Sequence, residues 1–372
     1  MIPTSRRRLL AGTLGGTLMA QVDAPPEVRL PRRIRLALAG FDGHPEEILR
    51  VLPRLPDVEL VAVAAEDSDP AAQAGALKDR AAAQARRYDT LAQLLAAEQP
   101  DVVAVCNHNG RRTAAILACA ARKVNVIAEK PLALHRADLD AVYAAVKRSG
   151  IRLGMLLPMR FDPPYLAMRR IVGSGAIGEV LQMDAQKSYQ LGARPAWQKH
   201  AATYGSTILW IAIHAIDLML SVSGRHFTEA ASLQAHVAFP EAGDMQNVTA
   251  TLFRLDNGGA ATLRMDYLRP ATAPGHGDAR LRVSGTRGIV EYQEATGVTL
   301  VTAQSGPEVV RDLPPQQSVF LDFLRSVYQG AAPALSWPEI VQANEATLAA
   351  HTAAVQHRFV QVPQVPQSEP RP

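Results

Sequence analysis

Cysteine is nearly absent from this 372-residue chain, which holds only Cys106 and Cys119. Two thiols make neither a disulfide framework nor a metal-spaced cluster, so no metal site is expected. Both read as small buried apolar residues, Cys106 ending a strand and Cys119 within a helix. A strong excess of one charge is lacking too. The formal charge is +4, and Arg6, Arg7 and Arg8 fall in one short N-terminal run, which leaves no basis for a nucleic-acid partner. Long hydrophobic runs are also missing. Leu9 to Ala20 is too short for a hydrocarbon core of about 30 Å, and no other stretch reads as long enough, so no stable membrane insertion is expected.

What remains is globular material, 48% hydrophobic and 20% charged, with the length of about two domains of ~150 residues. At the N-terminus, Ser5-Arg6-Arg7-Arg8-Leu9-Leu10 precedes a mildly apolar, glycine-containing stretch to Ala20. Basic, then weakly hydrophobic, then small residues make a targeting segment, and the paired arginines resemble a Tat signal, whose pathway exports folded proteins. Residues 1–24 are expected to be this leader and the mature protein to be periplasmic or otherwise extracytoplasmic. Ala20 and Ala24 both end plausible cleavage patterns.

From Ile34 onward, short apolar runs alternate with helical spacing. Ile34 to Ala39, Val58 to Ala64, Asp101 to Cys106, Asn125 to Ala128 and Arg152 to Leu157 read as strands. Glu46 to Leu55, Tyr88 to Ala97, Arg112 to Arg122 and Ala137 to Ser149 read as helices. Strands this uniformly apolar belong in a parallel sheet covered on both faces, so residues 31–155 are expected to be an α/β Rossmann domain. After Arg160 the segments lengthen and alternate, with hairpin turns at Asn257-Gly258-Gly259 and Gly285-Thr286-Arg287-Gly288. Residues 156–361 are therefore expected to be an α+β domain with a large, mainly antiparallel open sheet. Helices are expected from Pro164 to Gly173, Ile208 to Ser221, Val319 to Gln329 and Pro338 to His357. Residues 362–372, polar and proline-rich, read as a disordered tail.

The turn after the first strand is Gly40-Phe41-Asp42-Gly43-His44-Pro45. A glycine turn ahead of a helix can cradle a pyrophosphate, because small residues admit the backbone and the helix N-terminus attracts anions. Against G-x-G-x-x-G, Gly40 matches the first glycine, while Asp42 and Pro45 replace the second and third. Pro45 is tolerable as a first helical residue. The Asp42 carboxylate would repel a pyrophosphate unless it turns away. At the end of the second strand, Glu66 is the acid that could accept ribose hydroxyls, or else an ordinary loop acid. No arginine directly follows it, which favours NAD over NADP.

Val105-Cys106-Asn107-His108-Asn109, Ala128-Glu129-Lys130-Pro131-Leu132-Ala133, Arg160-Phe161-Asp162-Pro163, Gly175-Ala176-Ile177-Gly178-Glu179 and His214-Ala215-Ile216-Asp217 follow in that order. Together they resemble the Gfo/Idh/MocA oxidoreductases, the family of glucose-fructose oxidoreductase and inositol dehydrogenase, over roughly Ile34 to Gln361. The resemblance implies that Lys130 lies beside nicotinamide and substrate and that His214 acts as acid or base. It implies cofactor contacts at Gly40, Asp42, Gly43, Glu66, Asn107, Asn109, Glu129 and Lys130. Arg160, Lys187, Tyr189, Trp197, Trp210 and Asp217 are the expected substrate contacts. Oxidising a hydroxyl requires a base for the O–H proton and a cation for the developing alkoxide, which suits imidazole and lysine. On the residues alone, His214 could instead be a helix histidine partnered by Asp217 one turn later. Many relatives carry an aspartate four residues before the histidine; here that place is Trp210, and the preceding glycine-rich run is reduced to Tyr204-Gly205-Ser206.

The expected function is an NAD-dependent oxidoreductase acting on a sugar, cyclitol or sugar derivative, with its cofactor tightly held. Two alternatives stand beside it: an NAD-dependent glycosidase working through transient oxidation, and a non-catalytic sugar-binding or regulatory protein. The exposed face of the second sheet is where a homo-oligomer is expected to form.

Overall fold

A computed structural model describes residues 28–364. The expected leader, and residues 365–372 of the expected tail, lie outside the described residues. Six short strands make the first sheet: β1 (Ile34–Ala39), β2 (Val58–Ala64), β3 (Arg86–Tyr88), β4 (Val102–Val105), β5 (Asn125–Ala128) and β6 (Leu153–Met155). Their order is β3-β2-β1-β4-β5-β6 and every pairing is parallel. All four β4 residues are buried, as strands covered on both faces require. The covering helices are α1 (Glu46–Leu49), α2 (Pro70–Ala76), α3 (Arg80–Gln84), α4 (Leu91–Ala97), α5 (Asn109–Ala121) and α6 (Arg136–Ser149). The strand order reverses between β1 and β4, and such a switch point opens a crevice at the carboxyl ends of the strands. Gly40, Asn107 and Glu129 all lie there, just past β1, β4 and β5.

The second sheet has nine strands: β7 (Val180–Tyr189), β8 (Phe227–Ala235), β9 (Val248–Leu255), β10 (Ala260–Asp266), β11 (Gly277–Gly285), β12 (Gly288–Gln293), β13 (Gly297–Thr302), β14 (Glu308–Val309) and β15 (Val360–Gln361). Their order is β14-β13-β12-β11-β7-β10-β9-β8-β15, antiparallel except where β10 runs parallel to β7. Helices α7 (Pro163–Gly173), α8 (Ala201–Tyr204), α9 (Ile213–Ser223), α10 (Val319–Gln329) and α11 (Trp337–Gln356) complete the chain. Along β9, Thr249, Thr251, Phe253 and Leu255 are buried while Ala250, Leu252 and Arg254 are not, so one face is packed and the other open. Helix α11 spans the junction of the two sheets. Its Asn344 accepts from Leu132 N at 3.2 Å, and its Glu345 pairs with Arg136 of α6.

Several expectations are corrected. Pro53 splits the expected helix from Glu46 to Leu55 into α1 and a 3₁₀ turn at Leu52–Arg54. The expected helix from Tyr88 begins only at Leu91, where Thr90 and Gln93 form a capping box. The helix expected from Ile208 opens as a π-helical stretch, Ile208–Ala212, before α9. The run Ala201–Ser223 is long and apolar enough to cross a membrane, against expectation, but 94% of its most apolar window is buried inside the protein, so it is a core element here. Cys106 and Cys119 are free and buried, and burial pushes the Cys119 thiol up to about 12.

Candidate active site

The crevice is built on close backbone approach. Gly40 has φ +83°, and a Cβ there would lie 2.4 Å from Asn107 N, so only glycine lets β1 and β4 end side by side. Gly43, at φ +81°, leaves room for the Glu129 side chain, whose Oε1 a Cβ would meet at 2.6 Å. Glu129 fills that space and receives His44 Nδ1 at 2.6 Å as well as the His44 backbone N–H. Burial opposes ionisation of Glu129, yet His44, Lys130 and Arg112 overcome it and hold the carboxyl down at about 2. The same pairing lifts His44 above its ordinary value against the desolvation that would lower it.

Lys130 is 1% exposed. Its Nζ donates to the Trp210 carbonyl at 2.8 Å and stands 3.1 Å from the centre of the Trp210 ring. The Lys130–Pro131 peptide is cis. Burial, reinforced by Arg112 and Lys187 and only partly offset by Glu129, brings the lysine down to about 7. His214, on α9, meets His44 edge to face with ring centroids 5.6 Å apart, and its buried Nδ1 has no partner. Burial and the nearby charges of Lys130, His44 and Lys187 hold it well below the usual histidine range, so the imidazole is neutral.

Arg112 of α5 organises the floor. Its buried guanidinium donates to Asn109 Oδ1, to the Lys130 and Pro131 carbonyls and to the Asn107 carbonyl, tying the ends of β4 and β5 together. Asn109 is thereby engaged: its Oδ1 takes Arg112 and its Nδ2 donates to the Tyr204 carbonyl at 2.8 Å. Asn107 is the contrary case, fully buried with neither side-chain amide atom partnered. A buried amide without a protein partner at the carboxyl end of a parallel sheet calls for a polar partner from outside the chain.

Asp42 turns away from the glycine turn. Its Oδ1 accepts from Trp197 Nε1 at 2.9 Å and from Asp69 N at 3.3 Å, and burial raises its pKa against those bonds. The anion is thus both redirected and disfavoured, which eases its conflict with a pyrophosphate. Trp197 in turn stacks on His108 and meets Trp210 edge-on at 5.4 Å. The bare Asn107 amide at the carboxyl ends of the strands fits a dinucleotide.

Other expected residues already have protein partners. Arg160 does not reach toward the crevice with free donors. Its Nε and Nη2 grip Asp217, and its Nη1 donates to Glu339 and to the Ala334 carbonyl, both at 2.9 Å. Asp217 is therefore the partner of Arg160 and not of His214, and both expected substrate contacts are consumed by one buried ion pair. Glu66 accepts from Leu91 N at the start of α4, which uses one of its oxygens. Lys187 is buried with its Nζ 2.8 Å from Met159 Sδ, and Tyr189, half-buried on the same face of β7, packs against His276. His44 and Arg112 were not among the expected site residues. An arginine one turn after Asn109, on the same face of the helix, is the available signal for the second; a histidine inside a glycine turn is the signal for the first.

Family comparisons agree with this geometry. Residues 34–156 match the model of the oxidoreductase family with NAD-binding Rossmann fold, and residues 165–291 match the GFO/IDH/MocA C-terminal domain. The chain is 25% identical to myo-inositol 2-dehydrogenase of Thermotoga maritima over 265 residues, 68% of this chain and 76% of that one. A solved Thermotoga maritima structure assigned as an oxidoreductase superposes with a TM-score of 0.84 at 27% identity, covering 88% of this chain and all of the other. Levoglucosan dehydrogenase in complex with NADH and L-sorbose shares the fold, with a TM-score of 0.75 at 18% identity, covering 90% of this chain and 100% of that one. Two consecutive family matches, the parallel sheet with its crevice and the open second sheet together establish that the chain belongs to the Gfo/Idh/MocA oxidoreductase family.

Proposed function

We propose that this protein is an NAD-dependent oxidoreductase that oxidises a CH–OH group of a sugar, cyclitol or sugar derivative. The observation that carries the reading is the meeting of the bare Asn107 amide, Lys130 and neutral His214 at the carboxyl ends of the parallel strands. Asn107, the turn from Gly40 to Gly43 and Glu66 would hold the cofactor, and the bound nicotinamide supplies the hydride acceptor. His214 takes the hydroxyl proton, since a neutral imidazole is a base at any pH above its lowered pKa. Lys130, when protonated, stabilises the negative charge that grows on the oxygen as that proton leaves. Because Lys130 is brought to about 7 in the free protein, its cation is lost as pH rises through that value. The oxidising rate at low substrate is expected to fall on the same limb. Glu129 opposes this loss by favouring the Lys130 cation, and it fixes the His44 ring against His214.

NAD is the proposed cofactor over NADP, on the strength of Glu66 at the end of β2. Two tests suffice. The purified chain is expected to bind NADH more tightly than NADPH in a fluorescence titration, and to reduce NAD with at least one polyol or sugar. Failure to bind either dinucleotide would refute the reading. Net release of a sugar from a glycoside without NADH accumulation would move it to the transient-oxidation class.

We propose also that residues 1–24 direct export through the Tat pathway, for which Arg6 and Arg7 ahead of a mild apolar run are the support. Lysine substitution of both arginines is expected to leave the protein in the cytoplasm. The open face of the second sheet, where Leu233 and Leu252 are exposed among Arg264, Arg282 and Glu291, is proposed to bind a second copy of the chain. Light scattering on wild type and on Leu252→Glu tests that contact.

A further inference from the structure

Lys187 is harder to account for than any other residue of the crevice. On β7, Met183, Ala185 and Lys187 alternate onto the packed face, and Lys187 is 1% exposed there. Its Nζ has a single close polar contact, the Met159 thioether at 2.8 Å, and among the described residues no carboxylate lies within ion-pair reach. Asp162 and Glu294 act on it only from farther off, and Asp162 is engaged by Gln316. Nearby, Lys130 has a carbonyl and an aromatic ring for partners, again no carboxylate. His214 adds a third basic group, with Nδ1 bare. The buried acid at this spot, Glu129, is ion-paired with His44; it favours the Lys130 cation through its field, and it is not among the charges acting on Lys187.

A buried ammonium group without a close counter-ion is costly, and a fold does not gain by keeping Lys187 so placed beside a second lysine and a bare imidazole. The arrangement is economical only if something that enters the crevice brings negative charge. Inside the same protein, Arg160 shows what a resident partner looks like, with Asp217 and Glu339 against it. Lys187 has the burial of Arg160 and none of its anions.

Resting on the oxidoreductase reading above, we propose that the substrate is an acidic sugar, a uronate or aldonate, whose carboxylate is received by Lys187 while its reacting CH–OH faces Lys130 and His214. Burial draws the Lys187 amine down to about 7 when nothing is bound. An incoming carboxylate restores the ammonium, so binding above neutral pH takes up a proton.

The test is calorimetry at pH 8 on the full chain saturated with NADH, in two buffers of different ionisation enthalpy. The probes are D-glucuronate, D-galacturonate and D-gluconate against D-glucose, D-galactose and myo-inositol. At least one acid is expected to bind ten-fold or more tighter than its neutral counterpart, with net proton uptake. Lys187→Met is expected to erase that preference and the proton uptake, and Lys187→Arg to keep the preference. NADH titration of each variant checks that the crevice is intact; should Lys187→Met not fold, Lys187→Gln takes its place. Neutral sugars binding as tightly as acids, an acid preference that survives in Lys187→Met, or no acid binding at all would each overturn the proposal. Loss of NADH binding by the wild type would instead strike the oxidoreductase reading itself, so the two failures are distinguishable.

Discussion

Two buried groups of charge, both near α9, are built on opposite principles. Around Arg160, every charge has its answer: Asp217 and Glu339 take the guanidinium, and the Ala334 carbonyl takes what is left. Around Lys130, Lys187 and His214, the bases outnumber the available acids, and all three are held below their ordinary pKa values by burial. The first group is a joint that locks α9 to the segment before α7 and to α11. The second is a cluster of bases folded inward. The contrast separates satisfied from unsatisfied charge, a distinction that burial, the same for both, does not make.

Removing an anion from the satisfied group is expected to have the largest effect. Asp217→Ala leaves a buried guanidinium with only Glu339 and is expected to cost about 3–5 kcal/mol of stability, measured by urea unfolding. Replacing both partners, Arg160→Met with Asp217→Leu, is expected to recover most of that loss. In the unsatisfied group the corresponding deletion acts on rate and not on folding. Lys130→Ala is expected to lower NAD-linked turnover by about 10²–10³-fold while the unfolding midpoint stays within a few degrees of wild type. Equal effects of the two deletions on stability would erase the distinction.

Lys187→Met is expected to raise the thermal midpoint by a few degrees at pH 7. The sign follows from linkage: the folded protein releases the Lys187 proton near 7 and the unfolded chain near its ordinary 10.5. Between those values the unfolded state holds more protons, so wild-type stability rises with pH. The advantage of the methionine variant is therefore greatest at and below 7 and vanishes toward 10.5, which a series of melts across that range measures. Glu129→Gln comes last and is read as a change of titration, in which Lys130 also deprotonates at lower pH and the alkaline limb of turnover moves down with it. His44 is expected to titrate at lower pH once its carboxylate is gone, followed by the histidine side-chain nitrogen resonances.

The sequence made the first sheet easy to read, because strands buried on both faces are uniformly apolar and leave an uninterrupted mark. The short edge strand Arg86–Tyr88 carries no such mark: its last residue falls in the helix expected from Tyr88 to Ala97, and Arg86 and Arg87 fall in no expected element. The π-helical stretch at Ile208–Ala212 is likewise silent in sequence, since its side-chain spacing over five residues does not differ usefully from an α-helix. In the site, Lys130, His214 and Asn107 were legible through the ordered motifs that carry them. The pairing of Arg160 with Asp217, 57 residues apart, was not, because an ion pair between distant segments has no local signature. His214 and Asp217 share a helix and invited a local pairing that the tertiary structure overrides. Asp42 read as an obstacle to phosphate until its bond to Trp197 supplied the reason it can stay.

That last bond has a practical meaning. Trp197 belongs to the segment after β7, yet its indole N–H is fastened to the glycine turn after β1, and its ring is packed against His108 and Trp210. The crevice thus contains its own spectroscopic probe, anchored at once to the turn expected to meet the pyrophosphate and to the ring that lies under Lys130. Emission from a tryptophan so placed is sensitive to a quenching imidazole, to the ionisation of Asp42 and to the arrival of a dihydronicotinamide as an energy acceptor. Three tryptophans occur in the whole chain, two of them here, so the intrinsic fluorescence of the unlabelled protein is in large part a record of this one place.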